Sequence, residues 1–126
     1  MPTPLPTSAE LAILQILWSR GPSTVREVHE AQRVERTVGY TSALKLLQIM
    51  HEKGLVRRDG ASRAHIYTAA GAREQVERAL LDDLAARAFG GSAERLVMRA
   101  LGADRASPRD LQRIRALLRS TDEGRP

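Results

Sequence analysis

The sequence predicts a mainly α-helical protein that contains one small β-hairpin. Apolar residues recur at helical spacing along most of the chain, and two short β-capable runs lie close together near its middle. Aromatic residues make up only 3% of the 126 residues, so leucine, isoleucine, valine and alanine have to form the core. This composition suits packed helices better than a β-sandwich, whose strands favour aromatic and β-branched side chains.

Two capping-box patterns predict where the first two helices begin. In this pattern a threonine hydroxyl accepts a hydrogen bond from the backbone N–H three residues later, and the glutamate at that position reaches back to the threonine N–H. Thr7 with Glu10 is the first such pair, and Thr24 with Glu27 is the second. Gly21 is a natural stop for the first helix, because glycine readily adopts the conformation that ends a helix.

A third helix is predicted over Tyr40–Lys53, and a hairpin follows it. The hairpin strands are expected within residues 55–59 and 64–68, on either side of a turn that contains glycine. This order of elements is typical of a winged helix-turn-helix domain: a first helix, then a pair of adjacent helices, then a hairpin. We expect this domain over residues 1–70, with the second helix of the pair as its DNA-recognition helix.

The second half of the chain, residues 71–126, predicts helices only. Its apolar positions are more than short helices can cover by themselves, which indicates that a second copy of the chain covers them. We therefore expect a helical dimerisation domain and a homodimer. The candidate dimer contacts are Leu80, Leu84, Leu111, Ile114, Leu117 and Leu118.

Helical projection of the third helix separates an apolar side from a polar one. Thr41, Lys45, Gln48 and Glu52 follow the spacing i, i+4, i+7, i+11, which places them in a narrow stripe opposite the apolar residues. A hydroxyl, a cation and an amide on one helix face can meet phosphates and base edges in the major groove of DNA. A helix face that is merely solvated is the alternative that this periodicity leaves open.

The charge balance favours a polyanionic partner. The formal net charge is +5, the sequence pI is about 10.6, and residues 36–65 carry six basic side chains against two acidic ones. No apolar run approaches the ~20 residues of a membrane-spanning helix. The N-terminus also lacks the layout of a signal peptide, so we expect a cytoplasmic protein with no membrane insertion.

No catalytic residue, metal site or cofactor is predicted. The chain has no cysteine, which excludes disulfides, thiolate metal sites and cysteine nucleophiles. His29, His51 and His65 lie on three different predicted elements without the spacing of metal ligands. The adjacent pair Asp82-Asp83 does not form a shared catalytic site, because neighbouring helical residues point ~100° apart.

Four runs of the sequence carry a family resemblance: LAILQILW at 11–18, GYTSALKLLQIMHEKGLVRRD at 39–59, RAHIY at 63–67 and FGGS at 89–92. They are similar to the penicillinase repressor family, the BlaI/MecI/CopY type of winged-helix transcriptional regulators. The resemblance extends over about residues 7–118. It implies an N-terminal winged helix, a C-terminal dimerisation domain, and repression by a homodimer bound to a dyad-symmetric operator in double-stranded DNA.

The resemblance also implies which residues contact DNA. Together with Tyr40 and Gln48, which the position and the polar stripe of the third helix suggest, the candidate DNA contacts are Thr41, Ser42, Lys45, Arg58 and Arg63. Thr41, Ser42 and Lys45 correspond to contacts from the recognition helix, and the two arginines correspond to phosphate contacts from the wing. Tyr40 either touches the DNA backbone or packs on Val38 and Leu44.

Two departures from the family pattern bear on induction. Copper-responsive members carry a C-terminal cysteine cluster that this chain lacks, which excludes copper sensing by that route. Antibiotic-responsive members are cleaved at an Asn-Phe bond, near which this chain has Asp82-Asp83. The resemblance implies a membrane sensor protease as the inducing partner. A winged-helix protein-interaction module and a small-ligand-gated regulator remain alternative functions.

Overall fold

The computed structural model describes residues 4–33, 39–60, 65–102 and 107–123. These residues form six helices and three short strands, in the order α1 (Ser8–Arg20), β1 (Ser23–Thr24), α2 (Val25–Arg33), α3 (Tyr40–Lys53), β2 (Val56–Asp59), β3 (Ile66–Ala69), α4 (Arg73–Ala88), α5 (Ala93–Gly102) and α6 (Pro108–Glu123). The mainly helical fold class is thereby confirmed. The chain divides into two compact units, Met1–Leu81 and Asp82–Pro126, and the division falls within α4.

Both predicted capping boxes are confirmed. At α1, the Glu10 N–H donates to Thr7 Oγ1 at 3.2 Å, and the Thr7 N–H donates to Glu10 Oε1 at 2.8 Å. At α2, the Glu27 N–H donates to Thr24 Oγ1 at 3.2 Å, and the Thr24 N–H donates to Glu27 Oε1 at 2.9 Å. Each box satisfies two backbone donors that have no partner within the helix, which fixes where the helix begins.

The predicted hairpin is present, but it belongs to a three-stranded antiparallel sheet. β3 is the central strand, with β2 on one side in the register Val56↔Ala69 to Asp59↔Ile66 and β1 on the other. The sequence did not predict β1, because its two residues are too few to show an alternating pattern. β1 ties the start of α2 to the hairpin, so the wing is anchored at its β3 edge.

One hydrophobic core holds the N-terminal unit together. The apolar side of α3 is fully buried at Ala43, Leu47 and Met50, and the Tyr67 side chain of β3 is buried with them. The helical projection of α3 is thus confirmed on its inner side. The buried members of this core are Ile13, Leu14, Leu17, Val25, Val28, Ala43, Leu47, Met50, Leu55, Val56, Tyr67 and Val76.

The start of α4 is attached to α1 by polar contacts around a tryptophan. The Trp18 indole N–H donates to the Gly71 carbonyl at 3.1 Å. The Arg73 guanidinium lies over the Trp18 ring, 5.6 Å from its centroid, and also donates to Gln15 Oε1 at 2.7 Å. Val76 and Leu80 continue this attachment by packing against the core, so the first turns of α4 belong to the N-terminal unit.

The C-terminal unit buries little of its own apolar surface. Among its described residues only Ala85 is buried, and no residue of α5 is. Gly90 and Gly91 have φ of 58° and 85°, a backbone conformation that favours glycine, and they separate α4 from α5 as predicted. The described part of the chain contains no helix with the length and hydrophobicity needed to cross a bilayer.

Candidate nucleic-acid interface

The outer side of α3 is an exposed polar face. Tyr40, Thr41, Ser42, Lys45 and Gln48 are all exposed there. Their side chains extend from a helix that is fixed to the core by residues with no exposed surface. Because the inner side is immobilised by packing, the outer side chains are offered from a rigid support, as groove recognition requires.

Tyr40 makes a contact that the sequence did not predict. Its ring packs edge-to-face against the His29 ring of α2, with the centroids 5.8 Å apart, and 48% of the residue stays exposed. Val38, which was one of the two residues expected to pack against Tyr40, lies outside the described residues. The contact joins the first turn of α3 to α2 and holds the tyrosine at the edge of the polar face.

Ile49 is a further candidate that the sequence analysis missed. It is 36% exposed, and helical projection places it beside Lys45, one turn further along α3. An exposed aliphatic side chain on a recognition helix can contact the methyl group of thymine. Ile49 was overlooked because its apolar character suggested that it belongs to the core. Its position next to the polar stripe in helical projection could have identified it as an exposed residue.

The wing offers two exposed arginines on β2. Arg57 is paired with Thr68 and Arg58 with Tyr67, and successive strand residues point to opposite faces of a sheet. Arg58 was predicted as a phosphate contact, whereas Arg57 was not singled out, although both are exposed. Arg63, the other predicted wing residue, lies outside the described residues.

Lys53, at the end of α3, is used inside the protomer. Its Nζ donates to Glu10 Oε1 at 2.6 Å, and the Glu10 side chain is only 3% exposed. Burial by itself raises the pKa of Glu10. The hydrogen bonds from Lys53 and Thr7, together with the positive charge of Lys53, outweigh burial and hold the pKa below its ordinary value. The ion pair anchors the C-terminal end of α3 to α1 and leaves Lys45 as the lysine on the outer face of this helix.

Replacement of Lys53 by methionine is expected to destabilise the N-terminal unit in a pH-dependent way. The variant leaves the buried Glu10 carboxylate without its cation, which should cost about 1.5 kcal/mol, the low end for a charged hydrogen bond because Lys53 is partly solvated. Since the folded pKa of Glu10 lies below its ordinary value of 4.5, the ion pair contributes its full stabilisation of the folded state above that pH. The difference between the two proteins should disappear as the pH falls through the folded pKa. Urea denaturation between pH 3 and 7 measures it.

Lys45→Met is the matched control for this experiment, because it makes the same chemical change at an exposed position of the same helix. It should leave the free energy of unfolding within ~0.5 kcal/mol of the parent value at every pH. An equal loss from both variants would contradict the structural role assigned to Lys53.

The six candidate dimer residues differ in their surroundings. Leu84, Leu117 and Leu118 are 42%, 66% and 60% exposed. Leu111 and Ile114 are half-buried, and Leu80 packs against the core of the N-terminal unit. Sequence reasoning did not select three other large apolar residues that are exposed in this half: Leu81, Val97 and Met98.

A winged-helix fold, an exposed polar helix face and a basic wing strand define a DNA-binding transcriptional regulator. The profile of the penicillinase repressor family matches residues 6–120 of the chain. Over 122 residues, which are 93% of this chain and 87% of the relative, the chain is 34% identical to the transcriptional regulator BlaI of Mycobacterium tuberculosis. The chain therefore belongs to the penicillinase repressor family, whose members are transcriptional regulators and not enzymes.

Solved structures agree on the fold. The chain is similar to a solution structure of monomeric Bacillus licheniformis BlaI in complex with the blaP half-operator, with a TM-score of 0.51, 20% identity, and 60% of this chain and 93% of that chain covered. A solution structure of the DNA-binding domain of the repressor BlaI gives a TM-score of 0.52 at the same identity and coverage. Both similarities support the winged-helix assignment. Among the described residues, no group of three potential ligands could hold a metal ion.

Proposed function

We propose that the protein is a repressor that binds a dyad-symmetric operator as a homodimer, with α3 of each protomer in a major groove. The observation that carries this proposal is the division of α3 into a fully buried side and an exposed side with hydroxyl, ammonium and amide groups. Family membership supports it, since the related Bacillus licheniformis BlaI is described in complex with a half-operator. Operator binding would place the protein in the cytoplasm.

The homodimer is inferred from the exposed apolar residues of α5 and α6. Monomeric proteins rarely leave so many large apolar side chains in contact with water, and a two-fold symmetric partner would cover them. We assign DNA binding to residues 1–70 and dimerisation to residues 71–126. Because α4 continues from one compact unit into the other, we expect the two activities to be joined by a helix rather than by a loop.

The inducing partner we propose is a membrane sensor protease, as the family resemblance implies. Asp82-Asp83, near the position of the family's scissile bond, lies in the middle of α4, and the Asp83 carboxylate accepts a hydrogen bond from Arg87 at 2.8 Å. Cleavage at this position would require α4 to unfold locally. Incubation of the purified repressor with the protease, followed by mass spectrometry of the fragments, tests this proposal, and an uncut α4 would exclude it at this bond.

The proposed function is tested by in vitro selection of bound duplexes from a random DNA library. An inverted repeat with two equal half-sites is expected, because each protomer of a symmetric dimer contacts one half-site. A single half-site without its repeat would contradict the dimeric binding mode. A library without any enrichment would contradict operator recognition itself and favour a winged helix that serves protein assembly.

The wing arginines provide a second test of DNA binding. Arg58→Ala is expected to weaken binding to the operator and to a random duplex by similar factors, since phosphate contacts carry no sequence information. The slope of log affinity against log salt should decrease by about one. Electrophoretic titrations at several salt concentrations measure both quantities. Arg57→Ala, which removes the same charge from the opposite face of β2, is the comparison, and an equal effect of both variants would mean that only overall charge matters.

A further inference from the structure

A groove in the N-terminal unit is formed by α1 and α2 and has a volume of about 580 Å³. This volume falls within the ~300–1,000 Å³ range of small-molecule sites. Four of the nine lining residues are aliphatic and five are polar, so the groove offers both apolar surface and hydrogen-bonding groups. The lining residues are Ser8, Leu11, Ala12, Gln15, Ile16, Ser19, Arg20, Ala31 and Gln32.

Gln32 places an unpartnered hydrogen-bond acceptor at this groove. The residue is 5% exposed, and its side-chain Oε1 atom is buried without a hydrogen-bond partner. A buried acceptor that lacks a donor costs ~1–3 kcal/mol, so native proteins rarely keep one without a purpose. The terminal torsion of glutamine has a broad energy minimum, and a rotation about it can turn Oε1 toward a donor in the groove.

We propose that this groove binds a small, uncharged molecule with an apolar body and one N–H or O–H donor for Gln32. The apolar body follows from the aliphatic part of the lining, which Leu11, Ile16 and two alanines provide. The absence of charge follows from Arg20, the charged residue among those lining the groove, because its guanidinium already pairs with Glu27 at 3.4 Å. A ligand with its own charge would lose hydration without gaining a counter-ion. This site does not depend on the proposed repressor function.

The groove is also connected to the start of α4. Gln15, which lines it, accepts the hydrogen bond from Arg73 at 2.7 Å, and Arg73 in turn covers the Trp18 ring. A molecule in the groove would lie beside this contact. A ligand in the groove would therefore alter the strength of the contact between the first turn of α4 and α1.

The binding experiment uses the full-length ¹⁵N-labelled protein and two probes, indole and 1-methylindole. They have nearly the same shape, but only indole carries an N–H donor. Indole should shift the amide resonances of α1 and α2 and the side-chain amide of Gln32. It should bind about two- to ten-fold more tightly than 1-methylindole, the range for one net hydrogen bond. Equal affinities, or shifts confined to other parts of the molecule, would overturn the proposal.

Two variants make the result specific. Gln32→Leu keeps the side-chain volume and removes the acceptor, so the two probes should then bind with equal affinity. Ala12→Leu fills the groove and should weaken both probes, while the circular dichroism spectrum reports whether the fold is kept. If Ala12→Leu instead changes the sedimentation of the protein and leaves probe binding unaltered, the groove is a protein contact and the small-molecule proposal is wrong.

Discussion

Leu118→Asp is expected to separate the dimer into monomers. Leu118 is 60% exposed in the protomer and lies on the apolar side of α6 with Leu111 and Ile114. Burial of a leucine side chain contributes about 1.5–3 kcal/mol, and the symmetry of a homodimer counts each substitution twice. The dimer dissociation constant should therefore rise by about a hundred-fold or more, with a further contribution from the buried charge. Sedimentation equilibrium measures this constant.

The affinity for the operator should fall when Leu118→Asp disrupts dimerisation. Two linked protomers bind a two-half-site operator with an affinity far above that of one protomer, and monomers lose this advantage. Ala116→Asp is the control, because it introduces the same charge on α6 at an exposed position on the side of the helix opposite Leu118. It should leave both the dimer and operator affinity close to their parent values. A Leu118→Asp protein that remains dimeric would show that α6 is not the dimer interface.

Lys45→Ala is expected to reduce operator affinity by about 1–3 kcal/mol per half-site if Lys45 contacts a base edge. Lys45 is exposed at the centre of the outer face of α3, from which a long cation can approach the O6 and N7 acceptors of guanine. A random duplex should lose much less affinity, because it lacks the matching base. Titration of both duplexes at one fixed salt concentration distinguishes base recognition from phosphate contact.

Arg78→Ala is the charge-matched control for Lys45→Ala. It also removes one positive charge from an exposed helix position, but from α4. It should change the affinity for both duplexes only slightly and equally. If Lys45→Ala weakens the two duplexes by the same factor, Lys45 contacts a phosphate, and specificity has to come from Thr41, Ser42, Gln48 or Ile49. If Lys45→Ala has no effect on either duplex, α3 does not lie in the groove as proposed.

The helices of this protein were predictable because their signals are local. Capping boxes, glycine stops and 3.6-residue periodicity each lie within a few neighbouring residues, and α3 has the predicted bounds Tyr40–Lys53. β1 was not predictable in this way. Its two residues become a strand only because β3 lies beside them, and that pairing joins positions more than forty residues apart.

The sequence predicted the exposed residues of α3 well, but it did not predict contacts between α3 and other elements. The exposed position of Lys45 followed from periodicity, whereas the ion pair of Lys53 did not, because its partner Glu10 belongs to α1. Leu80 was placed with the dimer contacts by its apolar character alone, but its side chain packs on the core of its own protomer. In each case the missing information is the neighbour supplied by a distant part of the chain.

The Glu10–Lys53 ion pair also restricts which chemical modifications can alter the charge of the outer face of α3, the face that we propose contacts DNA. The chain has only two lysines, at positions 45 and 53, and its other basic side chains apart from histidine are arginines. Lysine acetylation removes a positive charge, and arginine is not a substrate for it. Since Lys53 is committed to Glu10, acetylation can neutralise the outer face of α3 at a single position, Lys45. An amine-directed label quantified at Lys45 by peptide mass spectrometry would likewise report on that face at one defined point, and its protection by DNA would measure how much of the protein is bound.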